Sequence, residues 1–285
     1  MLHLSHSSLR VDVLDPANSA ERRHLGTRYC WGGYIWNVHA PGAGPLLTGP
    51  EWPESSPSPF NGQGLPESFR HAPLNSREFL TIEQGRGFII GVGDVTLDAT
   101  GAPVISSPCE WNVRATAGAL EFTTRQAGLG WAVALRRTLR LEQNELTSAT
   151  EVTCAGERPL PLQWFAHPFF PWTDDPKGCV LPAGTRMEEN PGYEVDATGR
   201  LRFKRRFVGT HDGHFQLVEL PAGTRLHATF PVPHFGAMSF ETDFAPDLCP
   251  MWGNGNTWSI EPYILTHLAP GQTRRWTLRY GFEAK

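Results

Sequence analysis

Two residues stand where the type of side chain and its neighbours together suggest chemistry. His167 lies in PLPLQWFAHPFFPW, residues 159–172, among Trp164, Phe165, Phe169, Phe170 and Trp172. An imidazole titrates near neutrality without help, so it can give or take a proton at working pH. Aromatic rings fit the apolar C–H faces of a pyranose, while converging polar groups hold its hydroxyls. The same pattern also describes core aromatics around a hydrogen-bonded structural histidine. Glu261 lies in TWSIEPYILTHL, residues 257–268, an otherwise apolar strand pattern with Trp258, Ile260, Pro262 and Tyr263 around it. A carboxyl group in such a place is costly unless paired or hydrogen-bonded, and burial raises its pKa towards neutrality. Pairing with an arginine across a sheet is the purely structural alternative.

Other chemistries find little support. The chain has no GxSxG elbow, GxxxxGK[ST] phosphate loop or HExxH helix. GQGLPE at 62–67 begins like a dinucleotide fingerprint but lacks the last glycine and any flanking βαβ pattern. His211 and His214, three apart on a predicted loop, come nearest to metal-ligand spacing, and neither a metal nor an organic cofactor is expected. The five cysteines, Cys30, Cys109, Cys154, Cys179 and Cys249, are scattered without a CxxC pair, which predicts free thiols in a reducing cytoplasm. With 25 Lys and Arg against 29 Asp and Glu, the formal charge of −4 offers no pull on phosphate backbones or anionic membranes. No apolar run reaches the roughly 18 residues of a membrane span, and MLHLSHSSLRVDVLD lacks the parts of a signal peptide. Nucleic acid and membrane are therefore not expected partners.

The elements that must position these residues read as strands. In residues 131–141, Trp131, Val133, Leu135, Leu139 and Leu141 share one face while Arg136, Thr138 and Arg140 lie on the other, the two-residue period of a half-buried strand. Residues 145–154 alternate likewise through Leu146, Val152 and Cys154, and the intervening Gln143-Asn144 suits a hairpin turn. Similar runs are LRVDVLD, GYIWNVH, GFIIGVGDVTL, GRLRFKRRFV, TRLHATFPV, TWSIEPYILTHL and RRWTLRYGF, giving at least nine strands. Short strands separated by turns such as DATG, PAG and APG predict an all-β sandwich in one domain, residues 1–285. The one long irregular stretch, residues 41–76, carries Trp52, Phe60 and Phe69 as apolar anchors, so an ordered functional loop is expected there.

With these residues in view, a family resemblance emerges. HPFF at 167–170 resembles the HPYF motif of aldose 1-epimerases, and SIEPY at 259–263, followed by PGQ at 270–272, resembles their terminal glutamate strand and PG turn. RYCWGGYIWNV at 28–38 and GQGLPESF at 62–69 are similar to N-terminal strands and a substrate-side loop of divergent members of the galactose mutarotase-like superfamily.

The resemblance implies a β-supersandwich with a concave sugar-binding face and an enzyme that interconverts α and β anomers. It implies His167 as the acid that protonates the ring oxygen and Glu261 as the base that takes the anomeric hydroxyl proton. The family's second sugar-binding histidine segment is not visible. His71 in ESFRHAPLNSREF is the nearest candidate, with Arg70 and Arg77 beside it as possible ligands for hydroxyls or a phosphate. Asp243 in FETDFAPDL, together with Trp164, Phe169 and Trp258, completes the expected binding set. Pro171 and Trp172 stand where the family often has Asn-Leu. The expected partner is a monosaccharide or sugar phosphate, bound by a monomer or homodimer. Alternatives are a non-catalytic sugar-binding protein on the same scaffold, or a glycoside hydrolase in which Glu67, Asp174 or Asp175 supplies a second carboxylate.

Overall fold

A computed structural model describes residues 1–6, 9–54, 56–72, 80–173 and 178–285. Its described residues form 24 strands and one short 3-10 helix, Ser19–His24, and no helix among them is long and apolar enough to cross a membrane. The architecture is the all-β sandwich that the alternation predicts.

Its backbone is a ten-stranded sheet in which every pairing is antiparallel. Three long consecutive strands, Ala119–Gly128, Trp131–Glu142 and Glu145–Cys154, pair in hairpins, and Thr273–Ala284 joins the last of them. Trp131, Val133, Leu135, Leu139 and Leu141 are buried, while Arg136 and Arg140 are exposed. Each aliphatic side chain so buried stabilises the fold by about 1.5–3 kcal/mol relative to an exposed one. On the outer face Arg275 pairs with Glu151 at 2.6 Å and Arg136 pairs with Glu121.

One residue breaks the pattern of the buried face. Arg137 has the parity of Leu135 and Leu139 and is fully buried with them. Its guanidinium meets the carboxylate of Glu67, itself buried on the short strand Glu67–Phe69, and donates to Gly32 O at 2.6 Å and Ser148 Oγ at 2.9 Å. Ser148 Oγ donates to Glu67 at 2.7 Å and Trp164 Nε1 donates to its other oxygen at 3.1 Å. The charge pair is thus embedded in hydrogen bonds, the condition under which a buried pair is tolerated.

Two three-stranded sheets carry the candidate site. In one, Leu160–Ala166 lies between Tyr263–Leu268 and Glu67–Phe69; in the other, Pro250–Gly253 lies between His214–Leu217 and Trp258–Ile260. Two further four-stranded sheets complete the fold, and a continuous buried cluster runs from Leu4 to Phe282.

Two of the strand-like runs are divided in the structure. GFIIGVGDVTL splits into Arg86–Ile89 and Gly93–Leu97, and TWSIEPYILTHL splits into Trp258–Ile260 and Tyr263–Leu268. Pro262 has no N–H to donate to a ladder, and the chain changes sheets at Glu261-Pro262. Within 41–76, Phe69 is a buried anchor as expected, but Phe60 is exposed. GQGLPE serves backbone crossing instead of phosphate binding: Gly64 has φ +77°, and a Cβ there would lie 2.4 Å from the carbonyl oxygens of Ile35 and Trp36.

Candidate active site

The strands Leu160–Ala166 and Tyr263–Leu268 pair antiparallel as far as Phe165 opposite Tyr263. Beyond a gap, Phe170 pairs with Trp258 through two backbone hydrogen bonds of 2.8 and 3.0 Å. Both pairings belong to one register, and extending it across the gap sets His167 opposite Glu261. Pro168 and Pro262 account for the gap, since neither can donate to the other strand. The backbone N–H groups of the two facing residues turn outwards instead: His167 donates to Pro66 O at 2.9 Å and Glu261 to Pro250 O at 2.7 Å.

Side chains directly opposite in an antiparallel pair share a face. His167 Nε2 accordingly lies 3.4 Å from Glu261 Oε1. His167 is 2% exposed and Glu261 5%. Ser259, two residues before Glu261 and on the same face, has its Oγ 3.2 Å from His167 Nδ1. Burial pushes the pKa of Glu261 up to about 8, against the opposing positive charges of Arg28 and Arg70 and the Ser259 hydrogen bond. Burial, reinforced by the Arg28 charge, holds that of His167 well below its ordinary value. Both shifts favour uncharged forms, a carboxylic acid beside a neutral imidazole.

The pair lies in the wall of a cavity of about 1140 Å³. The alternating face that carries His167 and Glu261 also presents Phe165, Phe169 and Tyr263 to this space. Phe165 and Tyr263 stack nearly parallel, with centroids 4.6 Å apart, and Trp252 stands edge-on to His167 at 6.2 Å. Arg28 and Arg70 also line it; Arg70 lies over the Phe165 ring at 5.9 Å. His71 lines the same cavity, its pKa lowered by burial and by the Arg70 charge. Of the expected binding set, then, Phe169 and His71 face the cavity with the His167 and Glu261 pair.

Three expected binding residues lie elsewhere, each for a definable reason. Trp164 and Trp258 are one residue out of step with the cavity face, so both indoles point into the core. Trp164 packs on Trp276 and bonds Glu67, while Trp258 packs among Phe170, Phe203 and Phe230 and donates to Pro171 O at 3.1 Å. Asp243 is a strand partner: its Oδ1 accepts from Thr277 N–H at 2.9 Å, and its own N–H donates to Thr277 O at 3.1 Å. Arg77, like Asp174 and Asp175, lies outside the described residues. Glu67 is sequestered with Arg137 and does not line the cavity, which removes it as a second carboxylate for glycoside hydrolysis. His211 lines the cavity without His214, and no group of three or more potential metal ligands occurs among the described residues.

Sequence reasoning missed Arg28, Trp252 and Ser259. For Ser259 a signal existed, its two-residue spacing from Glu261. For Trp252 there was none, because its strand is brought to the site by pairing with Trp258–Ile260, which the local sequence does not announce.

Comparison with known proteins bears on the whole architecture. No protein-family profile matches the chain, and no curated protein sequence does. Solved structures do. A galactose mutarotase related enzyme from Lactobacillus acidophilus superposes with a TM-score of 0.63 at 14% identity, covering 99% of this chain and 97% of that one. The fold is galactose mutarotase-like. A galactose mutarotase-like protein from Lactobacillus casei gives a TM-score of 0.57 at 14% identity over 99% of this chain and 100% of its own. A protein from Escherichia coli K12, provisionally described as an aldose 1-epimerase, gives 0.58 at 17% identity over 99% and 98%. At these identities the likeness extends to the galactose mutarotase-like fold and leaves chemistry to be argued from the residues.

Proposed function

We propose that the chain is an aldose 1-epimerase, an isomerase that interconverts the anomers of a reducing sugar with His167 and Glu261 as its proton-transfer pair. The observation that carries this reading is the facing of one imidazole and one carboxyl group 3.4 Å apart on an aromatic-lined cavity wall. Anomer exchange needs one proton delivered to the ring oxygen while another leaves the anomeric hydroxyl. Both oxygens are bonded to C1, so two groups this close can each serve one of them.

The C1–ring-oxygen bond breaks as its oxygen gains a proton, and the anomeric oxygen becomes the aldehyde carbonyl as its proton leaves. Rotation about C1–C2 then exposes the other carbonyl face, and reclosure runs the transfers backwards. The pair must hold one proton in total. In the tautomer that burial favours, that proton rests on Glu261 and His167 is the acceptor. The arrangement implied by the family resemblance, with His167 as acid and Glu261 as base, is the other tautomer of the same singly protonated pair. Each turnover returns the proton count to its starting value, so no metal or organic cofactor is required by the chemistry. Phe165, Phe169 and Tyr263 offer ring faces to the pyranose, and Arg28, Arg70 and His71 offer donors to its hydroxyls.

The test is NMR or polarimetric measurement of anomer exchange across free and phosphorylated aldoses. Acceleration over buffer that disappears in both Glu261→Gln and His167→Asn, with folding intact, supports the proposal. No acceleration for any reducing sugar by the wild-type protein overturns it.

A further inference from the structure

Among the described residues, only two phenylalanine, tyrosine or tryptophan rings are exposed, Phe60 at 63% and Phe215 at 51%, and both line the cavity that holds the His167–Glu261 pair. Their placement is not scattered. Phe215 sits on His214–Leu217 directly opposite Trp252, and Trp252 sits directly opposite Ser259 on the next strand. Opposed residues share a face, so Phe215, Trp252 and Ser259 form one row across the sheet, leading from the rim to the hydroxyl that meets His167. Exposure falls along the row: Phe215 is exposed, Trp252 half-buried and Ser259 fully buried. With strands about 4.8 Å apart, the row extends roughly 10 Å from Ser259, a span that a single pyranose ring does not cover.

Phe60 supplies a second exposed ring. Arg28 lies over it at 4.8 Å and donates to Phe60 O at 3.1 Å, which holds a multi-donor guanidinium beside the ring. An exposed ring next to fixed donors is the combination that a sugar uses, ring face against C–H face and donor against hydroxyl. The cavity volume agrees. At about 1140 Å³ it exceeds the roughly 300–1,000 Å³ of pockets that enclose drug-sized ligands, themselves larger than one hexose.

We propose that Phe60 and Phe215 form an outer subsite for the second residue of a glycan whose reducing-end sugar occupies the floor at His167 and Glu261. The substrate class is then a reducing disaccharide or longer oligosaccharide. The assignment rests on the catalytic reading of the floor for its orientation, whereas the outer subsite rests on the rim rings themselves.

The experiment compares kcat/KM for anomer exchange of glucose and galactose with that of maltose, lactose and cellobiose, in wild type, Phe60→Ala and Phe215→Ala. At least one disaccharide is expected to be preferred over its constituent monosaccharides. That preference should fall on the order of tenfold in each variant and be restored in Phe215→Trp. Equal kcat/KM for mono- and disaccharides in the wild type overturns the proposal, as does a parallel loss for both classes in the variants. Calorimetric titration of the same sugars into Glu261→Gln, alone and combined with each rim substitution, separates this result from the fate of the catalytic reading. Tighter disaccharide binding that depends on the rim rings supports the outer subsite even if no sugar is turned over. Monosaccharide exchange without any disaccharide preference in rate or binding overturns the subsite while leaving the epimerase reading intact.

Discussion

His167 Nε2 faces Glu261 Oε1 at 3.4 Å across an opened sheet ladder, with Ser259 Oγ 3.2 Å from His167 Nδ1 on the other side of the imidazole. The two residues are neighbours in register although 94 positions separate them in the chain. Burial pushes their pKa values past each other, the carboxyl up to about 8 and the imidazole well below its ordinary value, so the pair keeps a single proton across the span between them.

Replacing Glu261 by Gln keeps the shape and removes the exchangeable acid. The rate of anomer exchange should fall by roughly 10²–10⁴-fold while sugar affinity is largely kept. Stopped-flow polarimetry, sugar titration and thermal melting of wild type and variant check this together. An unchanged rate would remove Glu261 from the mechanism.

The pH profile follows from the two shifts. Above about pH 8 Glu261 loses its proton and the pair has no acid; well below pH 6.5 His167 gains one and the pair has no base. The kcat/KM of the free enzyme should therefore be flat near neutrality, decline on the alkaline side near pH 8 and hold on the acid side past the ordinary histidine range. In Ser259→Ala the alkaline limb should move upwards, because the hydroxyl that lowers the carboxyl pKa is gone. An alkaline limb unmoved by that substitution would deny Ser259 its influence on the Glu261 carboxyl.

Stability should be most sensitive at Glu67 and Arg137. Removing either partner leaves a buried uncompensated charge and should cost about 3–5 kcal/mol. The double change Glu67→Leu with Arg137→Met should recover much of the loss, since apolar residues of similar volume replace such pairs well. Urea denaturation of the three variants decides this, and a double variant no better than the singles would contradict it.

Chelation should have no effect on turnover. Dialysis against EDTA is expected to leave anomer exchange unchanged, because in the proposed reaction imidazole and carboxyl together supply both proton transfers. Loss of activity restored by one added metal would redirect attention to His211, the cavity-lining member of the sequence's closest histidine pair.

The strand alternation was legible in the sequence because side-chain period survives without tertiary information, whereas His167 and Glu261 were linked by the resemblance of HPFF and SIEPY to family motifs. The same period, applied consistently from His167, places 165 and 169 on its face and 164 on the opposite one. Trp164 and Trp258 were expected in the site for being aromatic and near, and parity sends them to the core. Arg137 was readable in the same way, an arginine in step with Leu135 and Leu139. Arg28 and Trp252 were not readable, since their approach depends on how separate sheets meet. Phe60 looked like an apolar anchor in a Pro-rich loop, and only the folded chain turns its ring to the rim.

The interrupted ladder bears on which length changes the chain could tolerate. The gap around Pro168 and Pro262 is fastened at one end by Phe165 against Tyr263 and at the other by Phe170 against Trp258. The separation of imidazole and carboxyl is consequently inherited from sheet pairing and not from the conformation of a loop. Inserting or deleting one residue between those fastenings would turn either His167 or Glu261 to the opposite face. An indel scan should therefore show a sharp zone of intolerance a few residues wide on each segment, bordered by surface turns such as 269–271 where added length is absorbed.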